Sequence, residues 1–572
     1  MSIFSSLVPR LLPSSLVVFV LTACGSGEPE HARAELIFRG GPIYTADSAH
    51  PSAQMVAVRG GRIVFVGDSA AAGDWTGPET RLVDLHGKLL LPAFHDGHVH
   101  PVTGGVQLGD CLLSGLSTRQ AVLDRIAGCA RDDTRSWVRG RGWELPLFPG
   151  GNPPKATLDS LIPDRPAVMT GADGHSSWAN SRALRAAGIT RETKDPARGR
   201  IERDPRTGEP SGTLREDAMD LVDDYEPPRS AAEYERGLER ALALANRLGI
   251  VALTEADADT LVMNAYTALD RRGALTARVI ASLRVDPAAG TAQVPRLAAL
   301  RERYAGQRLR ATATKIFADG VLEAKTGYVL QPYLGGGGHG LPELTAAAFD
   351  SIVVALDKAG FQVHVHAIGD AAVREALDAF AAARQANGMR DARHQIAHLE
   401  MIDPADVPRF RALAVTANVQ PLWAYRDTYI QQLTEPILGP VRSARLYPIG
   451  ELVRSGAPLA AGSDWNVSSM NPLEAMQVAV TRRAPDDSVA GPPWLPDQVV
   501  TLPQIIAAYT IGAAYANFEE KESGTITTGK SADLIVLDRD LFHIAPPQIH
   551  QARVLLTLLA GRPVYRDSTF FR

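Results

Sequence analysis

The segment from Leu89 to Pro101, LLLPAFHDGHVHP, begins as an apolar strand and ends in imidazoles and a carboxylate. Alternate side chains of a strand lie on one face, so Asp96, His98 and His100 share a face. Two imidazoles at the end of one strand suit a divalent metal ion such as zinc. A single His-x-His is also compatible with an ordinary polar strand end, so the interpretation depends on ligands elsewhere in the chain.

Two later segments supply further histidines in the same kind of position. FQVHVHAIGD, from Phe361, places His364 and His366 on one strand face, and HQIAHLEMI places His394 and His398 on one face. At about 3.3 Å per residue, His394 lies roughly 13 Å below His398 along the strand. His398 is therefore the better candidate ligand, and His366 is favoured over His364 by the same argument. His364 is left as a contact to the metal or to the substrate.

Asp464, in AAGSDWN, follows the last apolar strand pattern of the chain. A carboxylate there can ligate a metal and also accept a proton, so Asp464 is predicted to be both a metal ligand and the catalytic base. The alternative is that Asp464 caps the helix that follows. Histidines scattered through a core would not explain why these side chains gather at strand ends.

The order of the patterns predicts an α/β fold with a (β/α)8 TIM barrel over residues 89–514. Strand patterns starting at residues 89, 249, 277, 310, 361, 394, 414 and 457 alternate with amphipathic helical patterns. Such barrels place their active sites at the carboxyl ends of the strands. Residues 102–240 are too many for one loop, so we expect an inserted subdomain after the first barrel strand.

The two ends of the chain have a different pattern of apolar and polar residues from the middle. Residues 34–88 and 515–572 contain short alternating strands separated by glycine turns. This pattern predicts short antiparallel strands that form one small β-sandwich domain built from both termini.

The N-terminus predicts export. Residues 1–23 have the features of a signal peptide, and Leu21–Cys24 resembles a bacterial lipobox followed by a polar tether over residues 24–33. Lipidation of Cys24 would anchor the protein in the bacterial cell envelope, on the periplasmic side or at the outer membrane. Ordinary secretion with an unmodified cysteine is the alternative. The two remaining cysteines, Cys111 and Cys129, are expected to form a disulfide in an exported protein.

The overall charge gives no sign of a nucleic-acid partner, and a small-molecule substrate is expected. The formal net charge is -5 and both signs are mixed along the chain, which gives no nucleic-acid footprint and no polybasic membrane patch. No internal stretch is apolar and long enough to span a bilayer. The sequence leaves the oligomeric state open, with a homodimer as one option.

Several motifs along the chain resemble those of the metal-dependent amidohydrolase superfamily, in the branch of N-substituted formamide deformylase-like enzymes. The resemblance runs from about residue 35 to 565. Its strings, in order, are LPAFHDGHVHP, DGHSSWANSRAL, GEPSGTLRE, KIFADGVLEAKTG, HVHAIGDAAV, IAHLE and GSDWNV.

The resemblance implies a ligand set and one or two divalent ions, expected to be zinc. The implied ligands are His98, His100, Lys315, His366, His398 and Asp464. Lys315 lies on the fourth barrel strand, and in many members of the superfamily that lysine is carboxylated and bridges two metals. Asp319 shares its strand face and is either a partner of Lys315, a rival ligand or a substrate contact. The chain departs from the family at His95, where an aliphatic residue is usual, and this suggests altered surroundings for the ligands.

The expected reaction is hydrolysis of a non-peptide C–N bond, most simply an amide or a formamide. His175 or His364 is expected to assist at the oxyanion, and Trp143, His175 and Trp178 of the insertion are candidates for substrate contact. Either tryptophan could instead belong to the core of the insertion. Ester or lactone hydrolysis, or deamination, would use the same site. A non-catalytic lipoprotein that binds a small molecule is the remaining alternative.

Overall fold

The computed structural model describes residues 33–172, 176–196, 199–323, 325–336, 338–487 and 491–570. Their strands form three sheets, which we call the terminal sheet, the insertion sheet and the barrel. The terminal sheet contains β1 Leu36–Tyr44, β2 Ser52–Arg59, β3 Arg62–Gly67, β4 Arg81–Asp84, β5 Leu89–Pro92, β20 Leu534–Leu537, β21 Val554–Leu559 and β22 Arg562–Arg566. The insertion sheet contains β7 Cys111–Leu112, β8 Val138–Trp143, β9 Ala167–Gly171, β10 Ser176–Ala179, β11 Gly199–Arg203 and β12 Pro210–Glu216. The barrel contains β6 Phe94–Val99, β13 Ile250–Ala258, β14 Arg278–Arg284, β15 Leu309–Phe317, β16 Gln362–Ala367, β17 Gln395–His398, β18 Thr416–Val419 and β19 Leu459–Ala461.

Helices cover the barrel and connect the sheets. Those that follow barrel strands from β13 onward have buried apolar faces, as expected of helices that pack on a parallel sheet. The α-helices are Ala72–Trp75, Pro101–Gln107, Arg119–Asp132, Lys155–Leu161, Ser181–Ala186, Asp220–Asp223, Ala231–Arg247, Thr260–Arg271, Val294–Arg303, Ala346–Lys358, Asp370–Asn387, Val407–Leu413, Glu435–Leu438, Pro440–Ser443, Ile449–Ser455, Pro472–Thr481, Leu502–Ala507 and Ala513–Ala516.

The predicted barrel is confirmed. Its eight strands pair in parallel in the order β6, β13, β14, β15, β16, β17, β18 and β19. The last strand returns to the first through the segment after β19, where the Asp464 amide donates to the His98 carbonyl at 2.7 Å. Gly462 permits this approach, because a Cβ at that position would lie 2.4 Å from the His98 nitrogen. The seam of the barrel therefore brings the ends of β6 and β19 together.

The terminal sheet combines both ends of the chain, but it takes in more than the sequence predicted. β5 pairs antiparallel with β20, so the apolar run from Leu89 belongs to this sheet and the first barrel strand begins at Phe94. The reason is that β5 is buried on both faces: Leu90 packs in the core of the terminal sheet, while Leu89 and Leu91 pack against the barrel core. The sheet is also mixed, because β4 and β5 run parallel to β1.

The insertion forms its own sheet in the order β11, β12, β10, β9, β8 and β7. The expected disulfide is present: Cys111 of β7 bonds to Cys129 of the helix Arg119–Asp132, with the Cα atoms 5.7 Å apart. Within the part of the chain that the structure describes, no helix combines the length and apolar character that a membrane crossing requires. The signal peptide, Cys24 and almost all of the tether lie outside the described residues.

Candidate metal centre and active-site cavity

Asp96 holds the barrel seam together directly below the candidate ligands. It is fully buried and accepts hydrogen bonds from the Ser463 amide at 2.9 Å, the Ser463 hydroxyl at 2.6 Å and the His98 amide at 3.2 Å. Burial raises the pKa of Asp96 to about 7, although these hydrogen bonds oppose the shift. Because Ser463 and Asp464 are adjacent, Asp96 fixes the position of Asp464 relative to His98.

Three of the predicted ligands form a compact cluster in the structure. One ligand atom each of His98, His398 and Asp464 lies within 4.8 Å of the other two. The Nε2 atom of His98 is 3.4 Å from Oδ1 of Asp464, and Nε2 of His100 is 3.1 Å from the same oxygen. The rings of His366 and His398 have centroids 4.3 Å apart, which brings His366 to the edge of the cluster.

The donor set fits a divalent metal ion. Nδ1 of His398 is buried and has no hydrogen-bond partner, and Oδ1 of Asp464 receives no well-aligned hydrogen bond although the imidazoles of His98 and His100 lie within 3.4 Å of it. Buried polar atoms in this state are rare and costly in a folded protein. Nitrogen and carboxylate donors that converge in this way match the preference of zinc and similar ions. These unpartnered atoms are explained if an ion completes the cluster.

The backbone at two of these ligands is in the left-handed region. The φ angles are 79° at His398, 55° at Leu399 and 51° at Asp464. Non-glycine residues adopt such angles at a cost of about 1–3 kcal/mol each, and they are found most often at functional sites. The sharp turns let the chain leave the barrel strands while the two side chains still face the mouth of the barrel.

Lys315 reaches the cluster from β15. Its Nζ atom is 3.3 Å from Nε2 of His98 and 4.9 Å from the centroid of the Phe317 ring. Burial lowers the pKa of Lys315 to about 8, while Asp464 and other carboxylates favour its charged form. The lysine therefore occupies the position that the sequence predicted, next to the ligands.

Asp319 has a structural role rather than the predicted contact with lysine or substrate. Its carboxylate accepts hydrogen bonds from the amides of Tyr328 at 2.8 Å, Ile368 at 3.0 Å and Gly369 at 2.8 Å. The side chain lies outside the cavity lining, and its nearest approach to a ligand is 3.7 Å, to Nε2 of His366. Because three backbone amides hold its carboxylate, Asp319 orders the segment after β16.

His364 lies behind the ligand cluster. Its Nε2 atom is 3.0 Å from Nδ1 of His98, and its Nδ1 atom is 3.3 Å from the Ser282 hydroxyl. The ring is fully buried and is not part of the cavity wall. His364 therefore positions His98 and cannot reach a substrate, which corrects the expected contact.

Glu255 supports His100 and was missed by the sequence analysis. Its carboxylate lies 3.6 Å from Nδ1 of His100 and accepts a hydrogen bond from the Tyr266 hydroxyl at 3.1 Å. Outer contacts of this kind orient metal-binding imidazoles. The available signal was an acidic residue after the apolar start of the strand Ile250–Ala258, which is buried throughout most of its length.

The electrostatic surroundings shift the pKa values of the four imidazoles in different directions. Burial and the nearby Lys315 charge lower the pKa of His98 and His366, to about 3 for His366, and burial also places the pKa of His398 well below its usual range. These rings are therefore neutral, the form that ligates metals. Burial alone would lower the pKa of His100, but Asp464 and Glu255 outweigh it and raise the value to about 9.

A cavity of about 670 Å³ opens above the cluster, a size typical of small-molecule sites. The Trp423 ring stacks on the His398 ring, with centroids 5.5 Å apart and planes 5° from parallel, and so joins the cluster to the cavity wall. The wall consists of His98, His100, Lys315, Phe317, Val321, Glu323, His366, Ile368, His398, Glu400, Leu422, Trp423, Tyr425, Asp427, Tyr429, Ile430, Thr434, Tyr447, Asp464, Val467, Ser468, Glu474 and Pro485.

The described part of the insertion contributes no residue to this wall. Trp143, predicted to contact substrate, is fully buried in the insertion core, where its ring packs edge-on against Phe148 and Trp178. The tryptophans share a core because β8, β9 and β10 are neighbours in one sheet. His175 lies outside the described residues.

His95 faces away from the ligands. It alternates with Asp96 along β6 and is fully buried near Asp533, Arg278 and Lys530, on the side of the terminal sheet. Neither ring nitrogen has a hydrogen-bond partner, and burial lowers its pKa to about 4. The departure at this position therefore alters the contact between barrel and terminal sheet rather than the surroundings of the ligands.

Comparison with known proteins shows to which family the chain is similar. A model described as Amidohydrolase family matches residues 81–565. Protein LONG AFTER FAR-RED 3 of Arabidopsis thaliana is 30% identical over 545 residues, covering 93% of this chain and 92% of that protein. The N-substituted formamide deformylase of Arthrobacter pascens is 28% identical over 549 residues, covering 92% of this chain and 97% of the enzyme.

A solved structure supports the fold in the same way. The crystal structure of an uncharacterized metal-dependent hydrolase from Pyrococcus furiosus superposes with a TM-score of 0.71 at 24% identity. The match covers 88% of this chain and 99% of that one. At this level of identity the likeness concerns the fold.

Proposed function

The chain belongs to the amidohydrolase family, and we propose from this premise that it is a metal-dependent hydrolase that cleaves a non-peptide C–N bond, most simply an amide or a formamide. One observation carries the proposal: ligand atoms of His98, His398 and Asp464 converge at the floor of the cavity, and Nδ1 of His398 and Oδ1 of Asp464 form no well-aligned hydrogen bond. The formamide deformylase relative supports the choice of bond.

The residues that would hold metal are those of the cluster and its edge. His98, His398 and Asp464 would bind one divalent ion, expected to be zinc. His100, whose Nε2 is 3.1 Å from Oδ1 of Asp464, would join them once its ring has released a proton, and Lys315 and His366 are the candidate ligands of a second ion. A bound divalent ion lowers the pKa of water and polarises a carbonyl group.

We propose that Lys315 is carboxylated. Its neutral amine would add to carbon dioxide, forming an N–C bond and releasing one proton, and the resulting carbamate would offer two oxygen ligands. A pKa of about 8 leaves a usable fraction of neutral amine at physiological pH. An ammonium group, by contrast, has no lone pair to donate to a metal.

Asp464 would move the proton during the reaction. A carboxylate can bind an ion through one oxygen and accept a proton through the other, so Asp464 would take a proton from the attacking water while it remains a ligand. The same carboxyl group would then give the proton to the leaving nitrogen, which departs as a neutral amine. Glu255 and His364 would act through other residues, by holding the rings of His100 and His98.

The test is metal content together with activity on a substrate panel of formamides, other amides, cyclic imides, esters, lactones and aminopurines. We expect the purified protein to hold one or two divalent ions per chain and to hydrolyse a member of the amide group. Chelation should abolish the activity, and added zinc should restore it. Equal activity in metal-free protein would contradict the proposal. Turnover of esters or aminopurines alone would show that the enzyme is an esterase or a deaminase instead.

We also propose that the protein is a lipid-anchored component of the bacterial cell envelope. The lipobox-like sequence before Cys24 supports this, and the Cys111–Cys129 disulfide is typical of proteins that leave the reducing cytoplasm. Cys24→Ala should move the protein from the membrane fraction to the soluble fraction of cells. An unchanged distribution would exclude the anchor.

A further inference from the structure

Three buried side chains form a hydrogen-bonded chain across the interior of the barrel, behind the ligand cluster. Nδ1 of His98 lies 3.0 Å from Nε2 of His364, and Nδ1 of His364 lies 3.3 Å from the Ser282 hydroxyl. All three residues are fully buried. They lie on β6, β16 and β14, so the chain joins strands that are not neighbours in the sheet.

The sequence of the intervening strand lets His364 reach Ser282. β15 lies between β14 and β16, and the residue of β15 that pairs with Ser282 is Ala313. A side chain this small leaves room for the His364 ring to pass over β15. Two residues further along the same face of β15, the long side chain of Lys315 extends to His98 instead.

The other ring nitrogen of His98 faces the ligand cluster. Nε2 is 3.4 Å from Oδ1 of Asp464 and 3.3 Å from Nζ of Lys315, whereas Nδ1 is turned toward His364. His98 would therefore bind an ion through Nε2. A neutral imidazole has one N–H and one acceptor nitrogen, so binding through Nε2 places its proton on Nδ1. That proton needs an acceptor, and Nε2 of His364 lies within hydrogen-bond distance.

Ser282 determines whether His364 can accept this hydrogen bond. Nε2 of His364 is an acceptor only when the proton of that ring is on Nδ1, where the Ser282 oxygen accepts it. A serine hydroxyl also donates, so the same contacts suit a reversed chain with the same number of protons. In the reversed chain His364 donates to Nδ1 of His98, and the His98 proton is on Nε2, where it blocks an ion. Only one of the two arrangements binds metal.

We propose that Ser282 and His364 are positioning residues of the metal centre: they hold the His98 proton on Nδ1 and so keep the lone pair of Nε2 available to an ion. This inference rests on the proposed metal-dependent function and adds Ser282 to the residues that determine it. Metal-binding histidines usually donate their second N–H to a carboxylate, a backbone carbonyl or water. Here a second imidazole, held by a serine, takes that place.

The test measures the zinc Kd of metal-stripped protein by competition with a chelator, together with the thermal midpoint of the same apo protein. His364→Leu removes the acceptor and should raise the zinc Kd by about 10–100-fold, the usual effect of losing such a contact. His364→Gln keeps an acceptor oxygen that can reach the position of Nε2, so most of the affinity should return. Ser282→Ala should raise the Kd by about tenfold, at the lower end of the same range. The apo thermal midpoints should stay close to that of the wild type.

The matched control is Ser177→Ala, which removes the hydroxyl of another fully buried serine, in the insertion sheet, and should keep the wild-type zinc Kd. An equal loss of affinity in His364→Leu and His364→Gln would overturn the inference, because the ring shape rather than the acceptor would then matter. Wild-type affinity in Ser282→Ala would also overturn it, and this smaller change decides if His364→Leu does not fold. The assay needs no substrate, so a protein that binds zinc but hydrolyses nothing would refute the hydrolase function alone. A wild type that binds no zinc would refute both.

Discussion

Two regions of the molecule are rich in aromatic and imidazole rings, and they use them in opposite ways. At the barrel mouth, His98, His398 and Trp423 lie around an open cavity, and Nδ1 of His398 has no hydrogen-bond partner. In the insertion, Trp143 and Trp178 are fully buried, and each indole nitrogen donates to a backbone carbonyl. The first arrangement keeps polar atoms available for a ligand, whereas the second satisfies them internally.

The difference shows that residue type alone does not mark a site. What separates the regions is where the backbone ends its elements: parallel barrel strands stop at one level, so the residues after them must converge. The insertion strands pack on helices, and their rings meet as a core. Substitutions at the barrel mouth should therefore change activity, whereas substitutions in the insertion should change stability.

The largest effect is expected for Asp464→Asn. The change removes a ligand and the proton acceptor together, so kcat should fall by about 10³-fold, within the range for a general base. Metal content per chain should fall as well, while the thermal midpoint of the apo protein stays close to that of the wild type. Asp378→Asn, which alters an exposed carboxylate paired with Arg409 on the outer helix Asp370–Asn387, is the control and should retain full activity. Wild-type turnover in Asp464→Asn would remove this residue from the mechanism.

A smaller effect, on stability alone, is expected for His95→Leu, three positions before His98 on the same strand. The folded-state pKa of His95 is about 4, below the usual value of 6.5, because burial disfavours the charged ring. The unfolded chain therefore takes up a proton below pH 6.5 that the folded protein does not, and stability is lost as the pH falls from 6.5 toward 4. At pH 5 this amounts to about 2 kcal/mol.

Denaturant unfolding of the wild type and of His95→Leu at pH 7.5 and pH 5 measures this term. The variant should lose about 2 kcal/mol less than the wild type between the two pH values, because the ligand histidines titrate in both proteins and cancel in the difference. Identical losses in the two proteins would show that His95 is not the group responsible. Its kcat/KM at neutral pH should remain that of the wild type, since the ring faces the terminal sheet.

The barrel and the clustering of His98, His398 and Asp464 were predictable from sequence because both follow short-range rules. Strand alternation placed His98 with His100, and distance along the strand favoured His398 over His394, which the structure pairs with Asp357 at 3.2 Å instead. Periodicity could not show that β5 leaves the barrel, since Leu89–Pro92 is buried on both faces in either sheet.

The carboxylates that line the cavity were not predictable in the same way. Glu400 and Asp427 follow different barrel strands, and their proximity depends on loop paths that no local pattern encodes. The burial of Trp143 was unpredictable for the same reason, because the residue type does not show on which side of the sheet its neighbours pack. Long-range pairing, rather than composition, decides both cases.

The smallest effect is expected when tryptophan is replaced by phenylalanine, once in each region. This pair of variants distinguishes the two regions most sharply. Trp143→Phe removes the indole donor to the Met169 carbonyl, a 2.7 Å hydrogen bond inside the insertion core, and should destabilise the protein by about 1–2 kcal/mol. Its kcat/KM should not change, because Trp143 lies outside the cavity wall. Trp423→Phe should do the reverse: the thermal midpoint stays near that of the wild type, while the smaller ring on His398 raises KM several-fold. Thermal melts and steady-state kinetics on the two variants test the contrast directly. A raised KM in Trp143→Phe would show that the insertion contributes to substrate binding.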